Sequence, residues 1–176
     1  MAVLQAIRSL FVPVRPTAAK IIAAPPTEYT IRPVTSEQLR ELLQLNVRCF
    51  INGDSYTKHT FNYLLSEPTT LSYRAVTPAG ELVAFVFAML NENGAAHLTT
   101  IGVAPEHRRR GLARRLLDSL EERLKEKDVG TVMLEVRVSN IAAQNLYRAA
   151  DYYVVQRISN YYNNGEDCFL MMKSLV

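Results

Sequence analysis

The residues best suited to chemistry lie where an apolar strand ends and a periodic helix begins. Residues 101–103 end the strand, a charged loop follows, and the arginines at 108–110 lead into Gly111 and the helix. The backbone N–H groups at a helix start have no intrahelical partner, and the helix dipole adds about half a positive charge there. This order of parts predicts a site for phosphate. For an arginine triplet alone, a basic solvent-exposed turn and a nucleic-acid patch remain alternatives.

Two side chains further along the chain also need an explanation. Glu135 lies in the middle of a β-rich run, on the face that also carries Met133 and Arg137. A buried carboxylate without a partner is costly, so the residues alone favour an ion pair with Arg137 or a position on a solvent-facing sheet edge. Tyr147, which follows Leu146 in a helical run, would by itself be interpreted as a core residue.

The pattern Arg-x-x-Gly-x-Ala at residues 108–113 resembles the acetyl-CoA signature of the GCN5-related N-acetyltransferases, the GNAT superfamily. Further groups follow in the order and spacing of the RimI/Ard1 type of protein N-terminal acetyltransferase. They are Leu134 with Glu135, Val136 and Arg137, then Ser139-Asn140, Ala142-Ala143, Leu146-Tyr147, Asn160-Tyr161-Tyr162 and Gly165-Glu166-Asp167. The resemblance runs from about residue 30 to residue 175 and is strongest after His97.

The resemblance implies acetyl-CoA as the co-substrate and assigns it a site. Backbone amides of residues 101–103 would pair with the pantetheine arm and stabilise an oxyanion, and amides of residues 109–114 would hold the pyrophosphate. Asn140 would hydrogen-bond the pantetheine arm, although it is also suited to cap the helix that follows. The cofactor set is therefore Ile101, Gly102, Val103, Arg108, Arg109, Arg110, Gly111, Leu112, Ala113, Arg114 and Asn140. No metal is expected.

The same resemblance assigns the proton transfers. Glu135 is implied as the general base, and Tyr147 as the group that protonates the departing thiolate of CoA. A free glutamate is a weak base toward an ammonium, so burial or an ordered water would have to assist it.

The acceptor site is implied at four residues, namely Phe50, His97, Tyr161 and Tyr162. Phe50 begins a wall formed by residues 50–55. The two tyrosines would close over a peptide, with simple packing in a turn as the alternative. His97 would hold a water or take a proton, or it is a structural histidine.

The expected reaction is direct transfer of acetyl from acetyl-CoA to the α-amino group of a protein or peptide N-terminus, in a ternary complex. No Cys–His pair is suggested near the site, so a covalent enzyme intermediate has little support. An α-amino group, with a pKa of about 8, is partly neutral at cellular pH, whereas lysine, at about 10.4, needs a stronger base. Two alternatives remain: acetylation of a lysine side chain or a small-molecule amine, and a non-catalytic acyl-CoA-binding module.

The sequence departs from the family pattern at one place. The family usually has Gly-Phe four and five residues after the tyrosine, and this chain has Asp151 and Tyr152 there. Aspartate tolerates a left-handed helix end better than most residues. We therefore expect the same turn, with a slightly altered pocket wall.

Hydrophobic periodicity predicts the elements that position these residues. Strands are predicted at residues 29–32, 71–76, 81–90, 97–103, 131–138, 152–159 and 168–173. Helices are predicted from residue 36 to about 47, at 58–65, from residue 112 onward with a leucine stripe to residue 124, and at 140–150. The helix at residue 112 is expected to end at Gly130 and to carry Glu121 on its outer face. The fold class is α+β (mixed α/β). The resemblance adds a GNAT fold: a mostly antiparallel seven-stranded sheet, splayed between strands 4 and 5 and flanked by about four helices.

The 176 residues fit one acetyltransferase domain at residues 29–176, after an N-terminal extension at residues 1–28 that forms an amphipathic helix or an arm. An organelle transit peptide is the less favoured interpretation of that extension. The net charge of +3 is too small to indicate nucleic acid, and the longest apolar run, residues 82–90, is too short to span a membrane. Two distant cysteines favour reduced thiols in the cytoplasm. The chain is expected to be a monomer or weak homodimer.

Overall fold

The computed structural model describes residues 21–50 and 55–176, and a single seven-stranded sheet dominates it. The strands are β1 (Thr30–Pro33), β2 (Thr70–Val76), β3 (Leu82–Leu90), β4 (Ala95–Val103), β5 (Thr131–Arg137), β6 (Tyr153–Ile158) and β7 (Cys168–Ser174). The helices are α1 (Leu39–Cys49), α2 (Lys58–Ser66), α3 (Leu112–Lys125) and α4 (Ile141–Ala149). Short 3-10 turns at Ser36–Gln38 and Pro105–His107 precede α1 and α3. The predicted strands and helices are all present, with ends shifted by a few residues.

The sheet opens between its fourth and fifth strands. Its order is β1-β2-β3-β4-β5-β7-β6, and among the described strands β4 and β5 form the one parallel pair. Their pairing joins residues 95–97 of β4 to residues 131–133 of β5 and then stops. A β-bulge places Thr99 as an extra residue opposite β3, and bulges bend the strand that carries them. The splay between strands 4 and 5 is therefore confirmed, and it leaves a gap at the carboxyl ends of both strands.

The core lies around β3, whose residues from Leu82 to Met89 are all buried. Phe61 of α2 meets Phe85 and Phe87 of β3, with ring centroids 5.5–6.0 Å apart. The leucine stripe of α3 is buried against β2 and β3. Gly102 packs closely against this core, since a Cβ there would lie 2.8 Å from the Phe85 ring. The core thus fixes β4, and with it one wall of the gap.

Two expectations for α3 are wrong. The helix ends at Lys125, not Gly130, because Asp128 adopts a left-handed φ of 57° and the Val129 amide donates to the Leu124 carbonyl. These are features of a Schellman cap, which stops a helix. Glu121, expected on the outer face, is buried. No helix in the described ranges is long and apolar enough to cross a membrane.

Candidate active site

The loop between β4 and α3 presents unpaired backbone N–H groups, as the sequence predicts. In the described structure, the amides of residues 109–114 donate to no backbone carbonyl. Arg109 and Gly111 both take left-handed φ values, 63° and 73°, and Gly111 is the N-cap of α3. A left-handed residue of this kind turns successive N–H groups toward one side and makes a concavity for anions. The loop therefore fits a diphosphate through its backbone.

Most arginine side chains of this loop bond to the protein itself. Arg108 donates from Nε to the Val103 carbonyl at 3.2 Å and also contacts the Cys49 carbonyl. Arg114 ion-pairs with Asp118 at 2.8 Å. Because these guanidinium groups already bond to the protein, the backbone amides form the candidate anion site, with the exposed Arg109 beside them.

A segment of the N-terminal extension lies against the same loop. Arg110 donates to the carbonyls of Ala24 and Pro25, the latter at 2.8 Å, and to the Tyr29 hydroxyl at 2.8 Å. The Ala24 amide donates to the Glu106 carbonyl at 3.0 Å. Ala24 and Pro25 therefore contact the loop, while the assignment of residues 1–28 as an arm stays a prediction. Residues 1–20, where an amphipathic helix was considered, lie outside the described residues.

One group of possible metal ligands occurs in the described chain, at Glu81, Glu106 and His107, whose ligand atoms lie within 4.8 Å of one another. Glu106 already forms an ion pair with Arg48, and His107 Nδ1 lies 2.9 Å from the Tyr29 hydroxyl. Two of the three groups are thus engaged with protein partners. The expectation that no metal is bound stays a prediction.

His97 and Glu135 meet at the point where β4 and β5 separate. His97 is the last residue of β4 that pairs with β5, opposite Met133, and Glu135 follows two residues later on the same face. His97 Nε2 lies 2.6 Å from Glu135 Oε2, and both side chains are less than a tenth exposed. Each ring nitrogen of a histidine can donate or accept, so this pair can pass a proton between its members. The ion pair of Glu135 with Arg137, one interpretation of the sequence, does not form.

Tyr147 lies on α4 and is 5% exposed. Burial raises the pKa of its hydroxyl above the usual range, so the phenol stays protonated at neutral pH. Among the described residues the hydroxyl has no hydrogen-bond partner. The turn expected after α4 is present, since Asp151 has a left-handed φ of 66°. The Tyr152 ring packs against that of Tyr147, with the ring centroids 5.7 Å apart.

Arg137 instead holds the β6–β7 loop. Its guanidinium lies 2.7 Å from Glu166 and 3.7 Å from the centre of the Tyr162 ring. Glu166 also accepts from the Ser139 amide at 2.9 Å, and this bond, with that of Arg137, lowers its pKa to about 2. The Tyr161 and Tyr162 rings meet edge to face at 5.1 Å. The tyrosine pair is thus fixed beside the end of β5.

Tyr56 belongs to the site although the sequence analysis did not identify it. It is buried, and its hydroxyl donates to the Thr99 carbonyl at 2.8 Å. Burial raises the pKa of Tyr56, and the nearby Tyr161 and Glu135 raise it further. Tyr56 therefore lies between β4, the tyrosine pair and the carboxylate. A single tyrosine outside any motif gives no signal in the sequence that would have identified it.

The remaining predicted residues are placed as follows. Asn140 caps α4, since its Oδ1 accepts from the Ala143 amide at 3.1 Å, which confirms the capping role that was considered. Phe50 follows α1 directly and packs partly against the core. Of the rest of its wall, residues 51–54 lie outside the described residues, and Ser55 is buried.

Comparison with known proteins gives consistent matches. Residues 38–152 match the model of the acetyltransferase (GNAT) family. The N-alpha-acetyltransferase daf-31 of Caenorhabditis elegans is 32% identical over 82% of both chains. A putative ribosomal protein bS18-alanine N-acetyltransferase of Bacillus subtilis is 30% identical over 82% of this chain and 95% of its own. The crystal structure of the ribosomal-protein-S18-alanine N-acetyltransferase of Escherichia coli superposes with a TM-score of 0.76, at 28% identity, over 84% of this chain and 94% of that one.

Proposed function

Because this chain belongs to the acetyltransferase (GNAT) family, we propose that it transfers acetyl from acetyl-CoA to the α-amino group of a protein N-terminus. The observation that carries the proposal is the buried His97–Glu135 pair, at 2.6 Å, where β4 and β5 separate. Relatives named for α-amino and alanine N-acetylation support the choice of acceptor. A purely acyl-CoA-binding module would not need a proton-accepting pair at this place.

On the donor side, acetyl-CoA supplies an acyl group activated as a thioester. The amides of residues 109–114 fit its pyrophosphate, because the fold leaves them without backbone acceptors. Residues 101–103 of β4 lie beyond the last pair with β5, so the edge of β4 that faces the gap is open to a strand-like ligand. The free amides and the open edge of β4 together favour an extended ligand that runs along β4 to the start of α3.

On the acceptor side, an ammonium must lose a proton before its nitrogen can attack. Glu135, with His97 bonded to it, accepts that proton. Tyr147 donates a proton to the sulfur that leaves, a role that suits a phenol kept protonated by burial. The transfer is direct, in a ternary complex. Tyr161 and Tyr162 then hold the peptide backbone near its first residue.

Two matched peptides test the acceptor. One begins with a free alanine and contains no lysine, and the other is the same peptide with a blocked N-terminus and one internal lysine. We expect acetyl-CoA-dependent acetylation of the first alone, measured by mass spectrometry. Preference for the lysine peptide, or for small amines such as polyamines, would overturn the α-amino assignment, and binding of acetyl-CoA without turnover would overturn the enzymatic one.

We place the enzyme in the cytoplasm, and the small number of cysteines, only Cys49 and Cys168 and far apart in the sequence, supports this. We assign catalysis to residues 29–176, with residues 1–28 as an extension, and expect a monomer or weak homodimer. Neither a metal, nor nucleic acid, nor a membrane takes part in the proposed reaction.

A further inference from the structure

A buried polar cluster stands behind Tyr147 and has no part in the mechanism above. Tyr152 is 2% exposed, and its hydroxyl donates to Glu121 Oε1 at 3.0 Å. Lys173 Nζ lies 2.6 Å from Oε2 of the same carboxylate and 5.8 Å from the centre of the Tyr152 ring. Glu121 belongs to α3 and Lys173 to β7. One buried carboxylate therefore joins α3, β7 and the segment that follows α4.

The end of α4 connects this cluster to Tyr147. Asp151 is left-handed and its amide donates to the Arg148 carbonyl at 3.1 Å, while the Tyr152 amide donates to the Tyr147 carbonyl at 2.9 Å. This is a Schellman motif, in which the residue after the left-handed one also packs against the residue five positions earlier. Here the two rings are 5.7 Å apart and tilted by 58°. Tyr152 thus contacts Tyr147 through both backbone and ring.

We propose that Tyr152 is a positioning residue that holds the Tyr147 hydroxyl in place through its own bond to the Glu121–Lys173 pair. The ring of residue 152 packs against Tyr147, and the hydroxyl prevents that ring from shifting. The inference rests on the proposed function, in which Tyr147 is the proton donor.

The cluster also sets the distance between donor and cofactor. Glu121 lies on α3, the helix whose start carries the free amides of residues 109–114. The Tyr152 hydroxyl hydrogen-bonds to Glu121 on that same helix. The position of Tyr147 is therefore fixed relative to α3, whose start fits the pyrophosphate. General acid catalysis needs hydrogen-bond reach, and small misplacements of a reacting group reduce rate strongly.

The test is a double-mutant cycle. We expect Tyr152→Phe to lower kcat about tenfold, with KM for acetyl-CoA within about twofold, because the donor is displaced while the cofactor site is kept. In a Tyr147→Phe background the same change is expected to have no further effect, since the group that it positions is gone. Tyr153→Phe is the control. It removes a hydroxyl from a neighbouring, exposed tyrosine of β6 and is expected to leave kcat unchanged.

A second variant reaches the same contact from the other side. Glu121→Leu combined with Lys173→Met removes the acceptor and leaves Tyr152 intact, and replacing a buried ion pair by apolar residues of similar volume is often tolerated. We expect the same loss of kcat as in Tyr152→Phe. The positioning role of Tyr152 would be overturned, and the proposed function kept, by either of two results. One is a wild-type kcat in Tyr152→Phe or in the double variant, and the other is an equal loss of kcat from Tyr152→Phe in the wild-type and Tyr147→Phe backgrounds. A wild type inactive on every peptide would overturn the proposed function with it.

Discussion

Tyr147 is the residue on which the proposed chemistry depends most directly. The Tyr147→Phe variant keeps the ring contact with Tyr152 and removes only the hydroxyl. We expect kcat to fall about 10²-fold, the scale of one general acid, with a smaller rise in KM for acetyl-CoA. Steady-state kinetics with both substrates varied measures this. An unchanged kcat would mean that the thiolate leaves without help from Tyr147.

Glu135 is the residue that takes the proton from the acceptor amine in the proposed reaction. Glu135→Gln keeps the size of the side chain and a hydrogen bond to His97 but cannot take a proton. We expect kcat to fall by about 10²- to 10⁴-fold, and an added His97→Gln change to cost much less than it does alone, because the two residues act as one pair. Single-turnover rates on a peptide check both numbers. Fully additive losses would contradict a shared role.

The β6–β7 loop is the element whose position the sequence describes least. Its tyrosine pair depends on the bonds of Glu166 to Arg137 and to the Ser139 amide. We therefore expect Glu166→Gln to raise KM for the peptide while KM for acetyl-CoA stays near the wild-type value. Glu126→Gln, which weakens the exposed Arg123–Glu126 pair at the end of α3, is the matched control and is expected to change neither.

The same loop gives a prediction on pH. The folded-state pKa of Glu166, about 2, lies below the usual value of 4.5, so the ionised form stabilises the fold above pH 4.5. That contribution is lost as the pH falls toward 2. The wild type should thus melt about 2–4 °C above Glu166→Gln at pH 7, and the difference should shrink toward zero near pH 2. Melting curves across this range test it, and a difference independent of pH would argue against the bonds described.

At the scale of the whole molecule, the sequence predicts the faces of helices and strands, because these follow from local residue spacing. It does not predict contacts between side chains that are far apart in the chain. Alternating residues placed Glu135 on the right face of β5, and leucine spacing defined α3. The predicted ion pair of Arg137 with Glu135 was wrong, because the observed partner, Glu166, lies in the β6–β7 loop, 29 residues away. Glu121 was assigned to solvent because Lys173, which allows its burial, lies on β7. Tyr56 enters the site through the Thr99 bulge, which no local pattern indicates.

The N-terminal extension also allows a test at the scale of the whole chain. Removing residues 1–28 takes away the carbonyls of Ala24 and Pro25 that Arg110 binds and the Ala24 bond to Glu106. Hydrogen bonds of this kind contribute about 1 kcal/mol each, so we expect the melting temperature to fall by about 4 °C or more. Because these contacts brace the loop that fits the pyrophosphate, KM for acetyl-CoA should rise more than kcat falls. Removal of residues 1–20 alone leaves every described contact intact and is expected to change neither quantity. If the two truncations had equal effects, the effect would come from residues 1–20, and the contacts of Ala24 and Pro25 would not be its cause.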